Sequence, residues 1–428
     1  MNKESKITLN YRQTLLIGLG FFASSLLWSL YNSFVPLILA DFITSTAAIG
    51  LIMTIDNIFG VIFQPYFGAR SDRTRSRFGR RMPYILVGAP LCAILFTLIP
   101  RMPELWLLMS VIIAFNLIMS VWRAPMIALM PDLTPDSLRS RANGVINLMG
   151  GLASIIAFLI GGRIAHSYGR GATFLMGAVV MLIAVVVLFF SIKENRLNPS
   201  LFDPIKDHDD QRSDQKKGAT DEELPPGGGL SGFKKLPPAS RRSLFFLLLA
   251  IFFWFCGFNA VETFFTSYAT NQLGQTEGQA AMLLAFFSVS FVIFAVPSGF
   301  IADRVGRRRT IVLGLLGLFF VFIPLLFISD LWVIRILLLI GGMFWAAINI
   351  NSLPMVLELA GINEMGTFTG YYYFFSFSAS IASPILFGLV RDLSGTFQSL
   401  FIYAPITFFM ALLAILQVTH SEEKPALD

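Results

Sequence analysis

The sequence predicts an all-α membrane protein of twelve spanning helices in two pseudo-symmetric six-helix halves. Three observations carry that expectation: a charge-poor composition, apolar runs of spanning length, and a loop motif that occurs once in each half. Of the 428 residues, 55% are hydrophobic and 14% charged, with a mean hydropathy of +0.70. A soluble domain carries roughly 25% charged residues, so this chain needs a solvent less polar than water. The 43 Phe and 16 Met exceed what one soluble core would use and suit helix-packing and lipid-facing surfaces.

The apolar runs fall at 14–39, 47–69, 84–100, 105–130, 142–164 and 173–192, then at 243–270, 279–301, 310–328, 331–357, 367–390 and 397–418. Each can cross about 30 Å of hydrocarbon as a helix. The expected units are a first bundle over 1–192, a flexible linker over 193–242 and a second bundle over 243–428. The linker is charged, rich in Gly and Pro, and lacks apolar periodicity. The polar N-terminal stretch precedes an apolar run too long for a cleavable leader.

Orientation follows from Lys and Arg. Lys3, Lys6 and Arg12 precede the first span, six arginines lie between Arg70 and Arg81, ten Lys or Arg occupy the linker, and Arg304, Arg307, Arg308 and Arg309 follow the eighth span. The loops after the first, seventh and ninth spans have none. Both termini and the linker are therefore expected in the cytoplasm, in a multi-pass cell (inner) membrane protein. The net charge of +6 reflects this bias and implies no nucleic acid. Cys92 and Cys256 lie in apolar runs and read as small hydrophobes. His166, His208 and His420 are scattered, so no metal and no cofactor is expected, and no Ser/His/Asp set or phosphate loop suggests an enzyme.

Gly68-x-x-x-Asp72-Arg73 precedes an Arg-rich loop, and Gly299-x-x-x-Asp303-Arg304-Val305-Gly306-Arg307-Arg308 repeats it 231 residues later. The same offset lays Phe21, Phe22 and Phe34 on Phe252, Phe253 and Phe265. Parallel six-helix halves are one arrangement of alternating-access carriers. The loops resemble the motif between the second and third helices of the major facilitator superfamily. The stretch from Gln64-Pro65 through Gly68, Asp72-Arg73, Gly79-Arg80-Arg81 to Pro83-Tyr84-Ile85 is similar to that of sucrose and related disaccharide proton symporters, in the glycoside–pentoside–hexuronide cation symporter group. The resemblance implies a twelve-helix carrier that takes up glycosides with a cation. Trp122-Arg123-Ala124 matches an arginine context late in the fourth helix of plant-type sucrose carriers. The aspartate those carriers place eleven residues earlier is Ile112 here, and the helix-2 aspartate positions of sodium-coupled members are Gly60 and Gln64. A coupling acid, if there is one, stands elsewhere.

Three ionisable residues stand near mid-span: Asp56, Arg123 and Glu262. A charge at the bilayer centre costs at least ~2.5–3.5 kcal/mol, so it needs a partner or a wet cavity. These three are the candidates for proton coupling, the alternative being a structural ion pair. Polar stripes accompany them at helical spacing. Trp28, Tyr31 and Asn32 mark the first span, Asn57 and Gln64 the second, Asn116 the fourth and Asn259 the seventh. Trp345 and Asn349 mark the tenth span, Tyr373 and Ser376 the eleventh. Amides, hydroxyls and aromatic faces suit a sugar, which has many hydroxyls and an apolar ring face. Such side chains also bridge neighbouring helices without touching any solute. Arg335 is expected to snorkel, and Glu358 to be structural.

Gly68, Asp72, Arg73, Gly79, Arg80 and Arg81 in one half, and Gly299, Asp303, Arg304, Gly306 and Arg307 in the other, are read as a conformational latch of charge-assisted pairs. The expected partners are a small solute of the sugar or glycoside class, a proton and the lipid bilayer, with a monomer as the default. A proton-driven drug exporter and a non-transporting membrane sensor are the alternative readings. The first places a more apolar cavity on the same helices.

Overall fold

In the computed structural model, residues 9–135, 138–194, 237–360 and 365–419 are described. Nearly all of the expected linker, together with His208 and His420, lies outside them. Among the described residues, twelve helices are long and apolar enough to span a membrane. The first six are α1 Tyr11–Ala40, α2 Thr46–Asp72, α3 Met82–Arg101, α4 Leu105–Leu133, α5 Arg141–Tyr168 and α6 Arg170–Ser191. The second six are α7 Ser240–Gln272, α8 Glu277–Val305, α9 Arg307–Leu326, α10 Leu331–Leu357, α11 Gly366–Ser394 and α12 Phe397–Leu416. All twelve coincide with the predicted runs. The helical turns leading into α7 begin at Pro238, inside the segment expected as linker, because a proline at the first turn forfeits no needed N–H.

Two of the described helices are interrupted away from their ends. A break at Thr54, whose hydroxyl donates to the Leu51 carbonyl at 2.7 Å, divides α2 into Thr46–Met53 and Ile55–Asp72. A π turn over Ala157–Gly161 interrupts α5, and such bulges concentrate at functional places.

The sequence repeat returns as a repeat of packing. In the first half α1 packs on α5 and α6, α3 on α4 and α6, and α2 on α4. In the second half α7 packs on α11 and α12, α9 on α10 and α12, and α8 on α10. The pairs correspond one for one. Phe34 and Phe265, superposed by the 231-residue offset, are both fully buried. Each half has its own aromatic core. Phe96 stacks on Phe174 at 4.4 Å in the first, and Tyr268 meets Phe401 edge-on at 4.6 Å in the second. Many large apolar residues face outward instead, among them Phe190, Phe300, Phe320 and Phe374. Trp106 and Trp332, at corresponding first turns of α4 and α10, are 67% and 70% exposed, as interfacial anchors are. Arg335 lies over the Trp332 ring at 4.6 Å.

The halves meet through α1 with α7, α2 with α11 and α5 with α8. The face with the Arg-rich loops is here the basic face, its opposite the far face. Polar bonds between halves cluster toward the far face. Arg170 at the start of α6 pairs with Asp41 of its own half and with Glu277 of α8, its Nε donating to Glu277 Oε2 at 2.6 Å. Asp392 at the end of α11 accepts from Ser45 Oγ at 2.7 Å, Thr46 N at 2.8 Å and Ala47 N at 3.0 Å. It thus caps the N-terminus of α2 from across the molecule, satisfying donors the helix cannot use itself. His166 Nδ1 lies 2.9 Å from Thr276 Oγ1. Gly50 lies against the Pro384 backbone and Gly388 against that of Ala47, so a Cβ at either would collide with the other half.

On the basic face the corresponding pairs stay within one half. Arg80 and Arg81 bind Asp132 at the end of α4, at 2.7 and 2.8 Å, and Arg81 also binds Asp72. Arg307 binds Glu358 and lies 4.0 Å from Asp303. Lower down, α2 and α11 part around a groove of about 420 Å³. The state is closed on the far face and parted on the basic face.

Candidate functional site

Between the halves lies a cavity of about 300 Å³, formed by α1 and α5 from one half and α7, α8 and α10 from the other. Three predicted residues line it: Glu262, Trp345 and Asn349. Trp345 stacks on Phe258 at 4.1 Å with parallel rings and meets Phe255 edge-on at 5.7 Å. Ser25, Asn147, Ser154 and Ser288 add polar groups, and Phe21, Phe158, Phe287 and Phe291 add apolar wall. Asn147 and Ser154 on α5, and Ser288 on α8, were not anticipated. No charge marks them, and in the sequence they resemble any hydroxyl or amide on a spanning helix.

Beside the cavity the first half assembles a charged cluster. Asp56 falls on the first turn of the second α2 segment, where a helix N-terminus favours a carboxylate. It accepts from Asn57 N at 2.6 Å and Asn57 Nδ2 at 2.7 Å. Arg123 of α4 lies over the Trp28 ring, 5.6 Å from its centroid, within the range of a cation–π contact. Trp28 meets Tyr31 edge-on at 5.4 Å, and Tyr31 stacks on Phe115 at 5.5 Å. Asp56 is within electrostatic reach of both Arg123 and Glu262, and Glu262 stands near Asn32 of α1 across the boundary. The three mid-span ionisable groups, expected from their lone positions on apolar helices, thus come from both halves, with Arg123 and Glu262 in electrostatic reach of Asp56.

Other predicted residues stand apart from the cavity. Tyr31 is fully buried and accepts from Asn116 Nδ2 at 3.2 Å, and Asn116 itself is 1% exposed. Both tie α1 to α4, because a buried amide or phenol needs an internal partner. Asn259 gives its amide to Ser380 Oγ at 3.1 Å and the Phe255 carbonyl at 2.8 Å. Gln64 and Tyr373 line the lateral groove between α2 and α11, outside the cavity. Ser376 donates to the Tyr373 carbonyl of its own helix at 3.1 Å. These positions match the alternative reading for polar side chains on spanning helices, which bridge neighbours or face a lateral groove. A helix that also meets lipid and a neighbour has more than one face to satisfy.

The latch residues are placed unequally. Gly79 takes φ +117°, which only glycine adopts without strain. A side chain there would also strike Glu194. That turn aims the N–H groups of Arg80, Arg81 and Met82 at the Glu194 carboxylate, at 3.1, 3.0 and 3.3 Å. Glu194, just beyond α6, therefore caps α3. Burial raises its carboxyl above the ordinary glutamate value, against the three N–H bonds that lower it. The Gly68 carbonyl accepts from Arg81 Nη1 at 3.2 Å. Gly306, at φ +99°, opens α9. Arg73, Arg304 and Gly299 make no polar or steric contact of this kind among the described residues. The pairs of Arg80 and Arg81 with Asp132, of Arg81 with Asp72, and of Arg307 with Glu358 and Asp303 each bind elements of one half, so among the described residues the motif staples each half. Cys92 and Cys256 are buried free thiols. Among the described residues no cluster of three or more His, Cys, Asp or Glu could hold a metal.

Twelve spanning helices in two equivalent halves, with a mixed polar and aromatic cavity between them, define a membrane carrier. The sequence matches the model of the Major Facilitator Superfamily over residues 17–384, and again over 265–427, and the chain belongs to that family. It is 29% identical over 222 residues to an uncharacterised symporter of Synechocystis sp., covering 45% of this chain and 40% of that protein. It is 26% identical over 191 residues to the isoprimeverose transporter of Lactiplantibacillus pentosus, covering 42% and 40%. It is 26% identical over 197 residues to the multidrug resistance protein MdtG of Salmonella arizonae, covering 45% and 47%. Each match thus spans less than half of the relative's length. In structure the chain is similar to the nucleoside transporter NupG, with a TM-score of 0.73 at 12% identity over 95% of this chain and 100% of that one. At that identity the likeness concerns the fold alone.

Proposed function

We propose that this carrier takes up a sugar or glycoside, such as the disaccharides sucrose or maltose, together with a proton. The observation that carries the reading is that Arg123 and Glu262 lie within electrostatic reach of Asp56 beside a cavity that offers Trp345, Asn349 and Asn147. A carboxylate that loses its proton can lean on Arg123, and one that gains it releases that arginine. Asp56 belongs to one half and Glu262 to the other, so rocking the halves changes the distance between them. The stacked Trp345 offers an apolar face to a sugar ring, and the amides offer both donors and acceptors. The basic face is assigned to the cytoplasm by its arginines, with both termini there and the state open inward. The symporter and sugar-transporter relatives agree with this reading.

The second reading is a proton-driven exporter of amphiphiles. The five phenylalanines on the cavity wall and the multidrug relative favour it. Reconstituted protein separates the two. Labelled sucrose or maltose should enter proteoliposomes faster under an inward proton gradient, and a protonophore should abolish the effect. No sugar entry, with gradient-driven efflux of a lipophilic dye, would overturn the sugar reading in favour of export.

A further inference from the structure

On the outer wall of the first half, α3 and α4 leave a slot of about 330 Å³ between them. Its sides are Pro83, Val87 and Leu91 of α3 and Ile118 and Val121 of α4, and its floor is Gly88, packed against Trp122. Val87 and Leu91 are exposed, so the slot opens to hydrocarbon, and it shares no residue with the cavity between the halves. From Tyr84 to Leu91 it follows two turns of α3, about 10 Å. One end alone is polar. There, on the basic face, the Thr74 and Tyr84 hydroxyls lie 2.8 Å apart. The Thr74 hydroxyl donates to the Arg70 carbonyl at 3.0 Å, so the Tyr84 hydroxyl donates to Thr74. Arg70 itself donates to Tyr66 Oη at 3.2 Å. Arg70 and Arg73 are both exposed, and among the described residues neither forms an ion pair. The other half lacks this pattern: at the 231-residue offset Tyr66, Arg70 and Thr74 fall on Pro297, Ile301 and Val305. Topology asks only for positive charge; it does not ask for an apolar slot that ends at two hydroxyls and an unpaired guanidinium.

We propose that this slot binds an anionic glycerophospholipid, one acyl chain lying along Val87 and Leu91 and the phosphate held at Arg70, Thr74 and Tyr84. The inference is independent of which solute the carrier moves. A guanidinium and hydroxyls match phosphate oxygens. The apolar walls give a free phosphate nothing to bind, whereas they suit a chain. Two arginines without carboxylate partners favour an anionic head over a zwitterionic one. Bound there, the lipid ties the end of α2 to α3 and α4, three helices of one half.

The test titrates the full chain in detergent with dioleoyl phosphatidylglycerol or dioleoyl phosphatidylcholine and reads retained lipid by native mass spectrometry. Phosphatidylglycerol should be retained at least about fivefold better, the scale of one arginine facing an anionic head. Arg70→Gln should cut that preference at least about threefold. Val87→Trp, which fills the slot from an exposed position, should lower retention of both lipids. Arg309→Gln removes a loop arginine of the other half and should leave the preference unchanged. Equal retention of the two lipids by the wild-type chain overturns the inference. So does a preference that Arg70→Gln and Arg309→Gln reduce alike, since charge on the basic face would then act without a site. Retention unchanged by Val87→Trp, or displacement of the lipid by inorganic phosphate at equal concentration, overturns the slot as the place of binding. The wild-type comparison holds whether or not the variants fold.

Discussion

Asp56 is held by geometry its own helix supplies: the break at Thr54 presents a fresh helix N-terminus, and the carboxylate sits on its first turn. If Asp56 and Glu262 move protons, Asp56→Asn and Glu262→Gln should each remove gradient-driven accumulation, while downhill exchange of solute persists. Unchanged accumulation in both single variants and the double variant would assign the two acids a structural role. Glu194 makes a prediction of a different kind. Its carboxyl is raised by burial above the ordinary 4.5, so folding favours its protonated form. That contribution is complete below the unfolded value and is lost as pH rises through the folded one. The melting temperature of the solubilised chain should therefore contain a component that falls above pH 4.5, and Glu194→Gln should flatten it. Glu194→Ala should cost about 1–3 kcal/mol, as three N–H groups lose their acceptor. Residues of these two kinds differ in how legible they were. Asp56, Arg123 and Glu262 stand out because nothing around them in the sequence is charged. Glu194 follows Lys193 in a run of charged residues and is invisible there, as is Asp132 among the last residues of α4. Only the folded turn at Gly79 shows that Glu194 is a cap.

At the scale of elements, hydropathy located every helix, because spanning length leaves few alternatives. It could not show the interruptions, since Thr54 and the π turn at Ala157–Gly161 change no hydropathy. Nor could it show which face of a helix meets its neighbour. Gln64 and Tyr373 follow the same spacing rules as Trp345 and Asn349, yet the parting of α2 from α11 leaves them in a lateral groove. The far-face half of the same pair is in contact at Gly50 and Gly388. Gly50→Val should hold these helices apart and bias the carrier open on the far face. A single cysteine introduced into the cavity would then react faster with a membrane-impermeant thiol reagent added from that side. Unchanged reactivity would mean that the crossing tolerates the side chain by sliding.

For the whole molecule, the repeat at a 231-residue offset foretold the paired packing, because a duplicated sequence buries equivalent faces, as Phe34 and Phe265 do. It did not foretell the bonds that join the halves. Arg170, Glu277 and Asp392 lie at span ends, where charge is ordinary and partners are distant in sequence. Arg170→Ala or Asp392→Asn should weaken the closed far face and shift the balance toward the opposite opening, readable as a change in spin-label distances between α6 and α8, or between α2 and α11. Reporter fusions or impermeant labelling at the two termini should find both on the side of the basic loops. The one-sided distribution of these bonds also bears on the rhythm of the cycle. If the Arg170 and Asp392 contacts must break before the empty carrier reopens toward the far side, the empty return should be the slow leg. Vesicles preloaded with unlabelled solute bypass that leg, and label should enter them faster than it enters empty ones.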